Sequence, residues 1–423
     1  MGLGATTPVG GSVEATWDAL LAGRSGVRAL DEEWAAALPV RIGAPVLVDP
    51  VGTVGHQRCR GLDRVQQLAL VAAQEAWSDA GSPEVRRERL AVVLGSGVGG
   101  FGTMIDQCGN LERRGSRGVR PQSMTMSLPD SAAVAVGLAL GARAGVHTPV
   151  SACASGAEAV AQGLDLIRLG RADVVVVGGA EAALRPLSLA AFAAMRALSA
   201  RGGDPTAVSR PFDASRDGFV LGEGAAALIL EREDHAVARG AVPYAELAGA
   251  GMSADAHHAV APHPEGDGAA RAKTSALSDA HATPRDVVHV NAHATSTPSG
   301  DLAEAIAINR ALGSRAAAVP VTGTKSMTGH LLGAAGALEA VVTVLTLHHR
   351  VVPATRNLEA QDSSIHLDVV TGEPRRLPGD LSEAVALSNS FGFGGHNVSL
   401  AIRPMDTGHA RRPCSPTVSA QPA

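Results

Sequence analysis

Unbroken apolar runs alternate along this chain with longer stretches in which apolar positions recur at helical spacing. Leu90-Ala91-Val92-Val93-Leu94 leads into Gly95-Ser96-Gly97, and Val174-Val175-Val176-Val177 leads from Asp173 into Gly178-Gly179. Runs of this kind, rich in β-branched residues and without a polar break, belong to strands covered on both faces. Between them, Asp63 to Ala80 reads as an amphipathic helix, with Asp63 as its N-cap and Gly81 as its stop. The βα alternation predicts α/β layers with mainly parallel sheets.

A faint internal repeat divides the chain. Ala248-Gly249-Ala250-Gly251-Met252-Ser253 echoes the opening Gly2-Leu3-Gly4-Ala5-Thr6, and Val287-Val288-His289-Val290-Asn291-Ala292 echoes the run into Gly95. Thr148–Cys153 leads into a helical pattern, as does Val319–Thr324 by way of a longer loop. Two similar halves, 1–240 and 241–404, account for these echoes. A Gly-x-Gly turn ordinarily follows a strand, so the opening at Gly2 predicts a first strand upstream. From residue 405 to 423 Pro, Ser, Thr and Arg dominate without periodicity, which predicts a disordered tail.

Composition narrows the class. The 423 residues are 45% hydrophobic and 18% charged, a globular balance with ample chain for a large core. Lys and Arg number 36 against 41 Asp and Glu, a net charge of −5, which gives no electrostatic reason to expect nucleic acid. Glycine is abundant, with 49 residues, and aromatics are scarce, so close strand–helix packing is expected. The four cysteines, Cys59, Cys108, Cys153 and Cys414, form no CxxC pair, which points away from a zinc or redox motif and towards a reduced, cytoplasmic setting. With no signal peptide and no apolar run long enough to span a bilayer, a soluble protein is expected.

Cys153 is the first candidate for chemistry. It lies in Val150-Ser151-Ala152-Cys153-Ala154-Ser155-Gly156, strand-like before and helical after. A cysteine at a helix N-terminus meets a dipole and free N–H groups that favour thiolate and can hold an oxyanion. A small buried core thiol is the competing reading. His293, in Asn291-Ala292-His293-Ala294-Thr295-Ser296-Thr297-Pro298, and His330, in Thr324-Lys325-Ser326-Met327-Thr328-Gly329-His330-Leu331-Leu332-Gly333, each fall where an apolar strand gives way to a loop. Neither has the HxxxH or HExxH spacing of a metal site, and a satisfied core histidine is the competing reading for each. The pairs His257-His258 and His348-His349 point apart on any regular backbone and read as structural or surface residues. Gly95-Ser96-Gly97-Val98-Gly99-Gly100 fits a tight turn better than a dinucleotide loop, and no Walker-type GxxxxGK[ST] follows a strand. Ser388-Asn389-Ser390-Phe391-Gly392-Phe393-Gly394-Gly395 places glycines around aromatics, which suits a mobile loop or a tight turn between strands.

Together these stretches, with Arg210-Pro211-Phe212-Asp213 and Asp217-Gly218-Phe219-Val220-Leu221-Gly222-Glu223-Gly224, resemble the type II 3-oxoacyl-(acyl carrier protein) synthases of the thiolase superfamily. The likeness runs from Gly2 to about Arg403, and its wording is closest to actinobacterial enzymes. It implies a five-layered αβαβα fold of two duplicated halves, and a homodimer with pockets near the subunit interface. Cys153 would take the acyl chain from phosphopantetheine. His293 and His330 would assist malonyl decarboxylation and hold the enolate. Lys325 would order the site, with Glu339, Thr295, Thr297 and Asp301 around it. The N–H groups of Cys153 and Phe393 would form the oxyanion hole, and Phe393, with Phe391 beside it, would gate the pocket. Neither metal nor redox cofactor is implied, since acyl groups arrive on an acyl carrier protein.

Three departures stand out. Ala294 replaces a common glycine and His396 a common threonine, both as in actinobacterial relatives. Leu128-Pro129-Asp130-Ser131 replaces a usual Pro-Asn-Gly, in a segment expected near the acyl pocket and interface. An acidic carrier protein calls for a basic patch, for which Arg58, Arg60 and Arg64, or Arg113, Arg114, Arg117 and Arg120, are candidates. The resemblance leaves fatty acid elongation and a pathway-specific ketosynthase as the two leading functions. A non-catalytic chain-length factor would lack the cysteine. A thiolase would replace one histidine with a second cysteine, and neither Cys59, Cys108 nor Cys414 lies in a suitable motif.

Overall fold

A computed structural model describes residues 1–377 and 379–405; the tail predicted at 405–423 lies, beyond Met405, outside the described residues. Five strands form the first main sheet: β1 (Gly2–Thr6), β2 (Leu90–Gly95), β3 (Gly145–His147), β4 (Val174–Glu181) and β5 (Gly224–Glu231). Their order is β1-β5-β4-β2-β3. The second main sheet contains β6 (Ala245–Ala254), β7 (Val287–Asn291), β8 (Pro320–Thr322), β9 (Asp368–Val369), β10 (Val385–Gly392) and β11 (His396–Pro404), ordered β6-β11-β10-β7-β8-β9. Apart from the extra edge strand β9, the two orders are the same path drawn twice. The pairings repeat as well, antiparallel at β1/β5 and β5/β4 and parallel at β4/β2 and β2/β3, with the same sequence in the second sheet.

This duplication is what the faint sequence repeat recorded: β1 matches β6, β2 matches β7, and β3 matches β8. The sheets are mixed rather than mainly parallel, because in each half the last strand runs back beside its predecessor. In the second half that return is a tight hairpin closed by Phe393–Gly395, which can only be antiparallel.

Helices fill three layers. Helix α1 (Arg64–Asp79) has Asp63 as N-cap, its carboxylate accepting from Val65 N–H while Gln66 Oε1 accepts from Asp63 N–H, and Gly81 follows at φ +75°. It packs with α3 (Ser131–Leu140) on the outside of the first sheet. Helices α4 (Ser155–Arg168) and α7 (Ala335–His349) lie between the sheets, and α5 (Asp267–Asp279) and α6 (Pro298–Leu312) cover the outside of the second. The order is therefore αβαβα, as the resemblance implied.

The span Leu332–His349 is apolar and long enough to cross a bilayer (mean hydropathy 1.3 over 18 residues), contrary to the expectation that no run reaches that length. Of its residues 89% are buried, between the two sheets, and an apolar surface all round is what a central core helix needs.

Gly2–Thr6 is itself the first strand, so the strand expected upstream is not required to explain the opening. Its glycines serve packing rather than a turn: a Cβ at Gly4 would lie 1.9 Å from the Ala72 carbonyl oxygen of α1, and one at Gly2 would lie 2.1 Å from that of Ala76. Gly251 meets Ala272 O of α5 in the same way, at 2.1 Å, which explains why the glycines recur in the repeat. Gly4→Val is expected to destabilise the protein by about 1–3 kcal/mol, the usual cost of overpacking. Urea denaturation measures it, and an unchanged midpoint would show that the close approach is dispensable.

Candidate active site

Cys153 lies in a tight helical turn, Ala152–Ala154, that runs directly into α4. Ala152 takes φ +53°, and Ser155 pins the turn by accepting from Ser151 N–H at 3.0 Å and donating to Ala152 O at 2.7 Å. The Phe393–Gly395 hairpin turn comes up against it. A Cβ at Gly392 would lie 2.2 Å from Ser151 O and 3.2 Å from Cys153 N, so only glycine allows this approach. In consequence the backbone N–H groups of Phe393 and of Cys153 itself both hydrogen-bond towards the Cys153 sulfur. The glycine-rich segment is thus both a tight turn between strands and a wall of the site.

His293 follows β7. Its backbone N–H donates to Glu304 at 2.9 Å, and that of Ala294 donates to the same carboxylate at 2.8 Å. Ala294 has φ +39°, a left-handed conformation that favours glycine, which accounts for the residue type seen elsewhere. Asp301 braces the next turn by accepting from Phe212 N–H (2.8 Å) and Ser296 N–H (3.1 Å), with Arg216 beside it. His330 is fixed by a backbone bridge to the segment after Asp217, donating to Val220 O at 2.7 Å and accepting from Gly222 N–H at 2.9 Å. The ring of Phe219 meets it edge-on at 5.3 Å.

Cys153, His293, His330, Phe391, Phe393, Thr295 and Thr297 all line one cavity of about 440 Å³. The two imidazole centroids are 5.3 Å apart. Lys325 and Glu339 form a buried ion pair behind them. Lys325 Nζ donates to His293 O at 2.6 Å and approaches His293 Nδ1 at 3.4 Å. An ammonium has only donors, so Nδ1 acts as acceptor and the His293 proton sits on Nε2. Of the predicted site residues, Lys325, Glu339 and Asp301 stand behind the cavity wall and the others form it. Phe219, Phe192 and Glu304 also line the cavity, although no periodicity or spacing along the chain assigns them a place there.

Burial sets the charge states. It pushes the Cys153 thiol up to about 12, while Lys325 and the two N–H groups pull the other way. The thiolate expected from the helix terminus is therefore outweighed by desolvation, and the thiol must lose its proton as it attacks. Burial first and Lys325 second hold both His293 and His330 well below the ordinary 6.5. Both are neutral, able to accept a proton or to donate from one ring nitrogen. Burial pushes the Glu339 carboxyl up, and the Lys325 ammonium opposes it.

The remaining candidates resolve simply. Gly95–Gly100 is a structural turn whose Gly97 and Val98 N–H groups and Ser96 hydroxyl donate to buried Glu181. His257 is exposed and His258 accepts from the backbone of its own loop, whereas His348 meets Tyr244 edge-on and His349 stacks on Trp17. Asp130 and Ser131 open α3 away from the cavity lining. Arg64 is committed to Glu223 by two hydrogen bonds, at 2.8 and 2.7 Å, which weakens its case as a docking residue.

A duplicated five-layer fold that brings one cysteine and two neutral histidines to a common cavity, with two N–H donors at the sulfur, defines a condensing enzyme acting on thioesters. The chain belongs to the beta-ketoacyl synthase family, matching the N-terminal domain of that family over residues 1–236 and its C-terminal domain over residues 244–359. It is 45% identical over 404 residues to a Mycobacterium tuberculosis protein named 3-oxoacyl-[acyl-carrier-protein] synthase 2, covering 95% of each chain. It is 42% identical over 405 residues to the Synechocystis protein of that name, covering 95% of this chain and 96% of the relative. Among solved structures, a beta-ketoacyl synthase from Burkholderia phymatum matches with a TM-score of 0.87 at 36% identity, over 96% of this chain and 98% of that one. A type II polyketide ketosynthase, solved in complex with its acyl-carrier protein and bound to the hexaketide, matches over the same shares with a TM-score of 0.88 at 32% identity.

Proposed function

We propose that this chain is a beta-ketoacyl-acyl carrier protein synthase of fatty acid elongation, which joins an acyl group held on Cys153 to malonyl-acyl carrier protein. The convergence of Cys153, His293 and His330 on one cavity carries this reading. The Cys153 sulfur attacks the incoming acyl thioester, its proton passes to a neutral imidazole, and the carrier thiol leaves. Malonyl thioester then enters and loses CO2. The Nε2–H of His293 and an imidazole N–H of His330 hold the enolate oxygen. The enolate carbon attacks the acyl-cysteine carbonyl, and the N–H groups of Cys153 and Phe393 hold the resulting oxyanion. Collapse releases the 3-oxoacyl product and restores the sulfur. Carbon dioxide is the leaving group that supplies the carbanion, so the residues present suffice without a cofactor. Mass spectrometry of Cys153 after incubation with acyl-carrier thioesters of graded length tests the reading; no adduct with any of them would sink it.

A pathway-specific ketosynthase is the second reading, favoured by the polyketide ketosynthase among the structural matches, although identity to it is 32% against 45% for the synthase 2 relative. Selective loading from a specialised carrier protein would favour it.

The depressed basicity of both imidazoles also predicts a pH dependence. The decarboxylating form is neutral, so malonyl decarboxylation should hold its rate as pH falls through 6.5, the ordinary histidine value, and fail only at more acidic pH. A fall centred at 6.5 would show ordinary, solvent-like imidazoles.

The partners proposed are an acyl carrier protein and a second copy of the chain. The exposed arginines Arg113, Arg114 and Arg117, on and just after α2 (Phe101–Arg114), offer a basic surface for the carrier. Strand β3 is an edge of the first sheet, and Val134, Leu138, Val146 and Val150 lie exposed on and around it. An apolar open edge invites pairing with another chain, and self-pairing of β3 would continue the sheet across a twofold axis. Val146→Asp is expected to convert dimer to monomer in sedimentation, and a monomeric parent protein would refute the arrangement.

A further inference from the structure

Lys273, on α5, is a fully buried cation that the reaction described above does not use. Among the described residues no carboxylate lies within ion-pair distance of it. Its Nζ donates to Ala269 O, one turn back on the same helix, at a long 3.4 Å, and stands 4.5 Å from the centroid of the Phe391 ring. Burying an ammonium with so little hydrogen bonding is costly, and a methionine of similar length would fill the same space without charge.

Its neighbours show what the charge faces. The Phe391 ring meets the His293 ring edge-on at 5.6 Å. Glu304, whose negative charge acts on Lys273, is the acid that accepts the backbone N–H groups of His293 and Ala294. Lys273 therefore backs both supports of one imidazole, its ring through Phe391 and its backbone through Glu304. Lys325 holds the Nδ1 side of the same ring.

We propose that Lys273 is a positioning residue of the decarboxylation site, a buried cation that holds Phe391 against His293 and balances Glu304. This rests on the condensing-enzyme reading. The charged and titratable groups around His293 are Lys325 with its partner Glu339, His330, Lys273 and Glu304. Removing Lys273 takes one positive charge from this set, so His293 accepts a proton more readily. Burial holds Lys273 itself down to about 8, so its grip on Phe391 weakens as pH rises through that value.

The test uses full-length Lys273→Met and Lys273→Arg proteins, with Cys153 acylation and malonyl decarboxylation measured separately across pH. Lys273→Met should acylate at the parent rate yet lose about tenfold in decarboxylation kcat with little change in KM, the scale of a small misplacement of a catalytic group. Its acid limb should move to higher pH, and Lys273→Arg should bring the limb back. Parent decarboxylation rate and limb in Lys273→Met would overturn the proposal. So would equal losses in both half-reactions with an unmoved limb, which is the mark of a merely structural residue. Lys273→Gln, read the same way, serves if Lys273→Met does not fold. A parent protein that neither acylates nor decarboxylates would instead refute the condensing-enzyme reading.

Discussion

Cys153→Ala is expected to abolish the acyl-enzyme and to lower condensation by roughly 10³-fold or more, because no other nucleophile in the site can divide the reaction into two thioester steps. The free cysteines Cys59 and Cys108 do not line the cavity and cannot substitute. Cys153→Gln separates the half-reactions. Its side-chain carbonyl occupies the place of the acyl group beside the Cys153 and Phe393 N–H groups, so malonyl decarboxylation persists while condensation is lost. A stable acyl adduct on Cys153→Ala, seen by intact-protein mass spectrometry, would place the nucleophile elsewhere. Simultaneous loss of decarboxylation in Cys153→Gln would contradict the division of labour between sulfur and imidazoles.

Replacing either imidazole should produce the second large effect. His293→Ala and His330→Ala each remove one donor to the enolate oxygen, a loss of about 3 kcal/mol or roughly 10² in decarboxylation rate. The two variants should differ in stability. His330 has Phe219 against one edge, whereas His293 is the neighbour of Lys325 Nζ, so His293→Ala also leaves a buried ammonium short of a contact. Release of CO2 from labelled malonyl-carrier thioester measures the rate directly. Normal decarboxylation in both variants would remove the histidines from the mechanism.

Much of the fold could be read from the chain because its signals are local. Val174–Val177 forms a covered strand wherever it is placed, and Asp63 with Gln66 three residues on caps a helix without help from the rest of the molecule. Glycine recurrence in Gly2-Leu3-Gly4 and Gly249-Ala250-Gly251 was also visible, but its cause was not. A glycine that makes a turn and one that admits a helix backbone look alike in sequence, and only the 1.9 Å clash at Gly4 tells them apart. The antiparallel pairings escape the sequence for a similar reason, since an apolar run carries no record of which neighbour it pairs with.

The site divides along the same line. Residue type and position along the chain singled out Cys153, His293 and His330 as candidates, the family resemblance added Lys325, and a helix terminus was legible after Cys153. Tertiary structure alone decided that the thiol is protonated, because desolvation depends on what surrounds the sulfur from distant parts of the chain. It alone put the Phe393 N–H at that sulfur, Glu304 behind His293 and Lys273 behind Phe391. Propensity and capping act over a few residues and are written in order along the sequence. Charge state and hydrogen-bond partners act through space, and here they join Cys153 to Phe393 and Lys273 to Phe391, each pair more than a hundred residues apart.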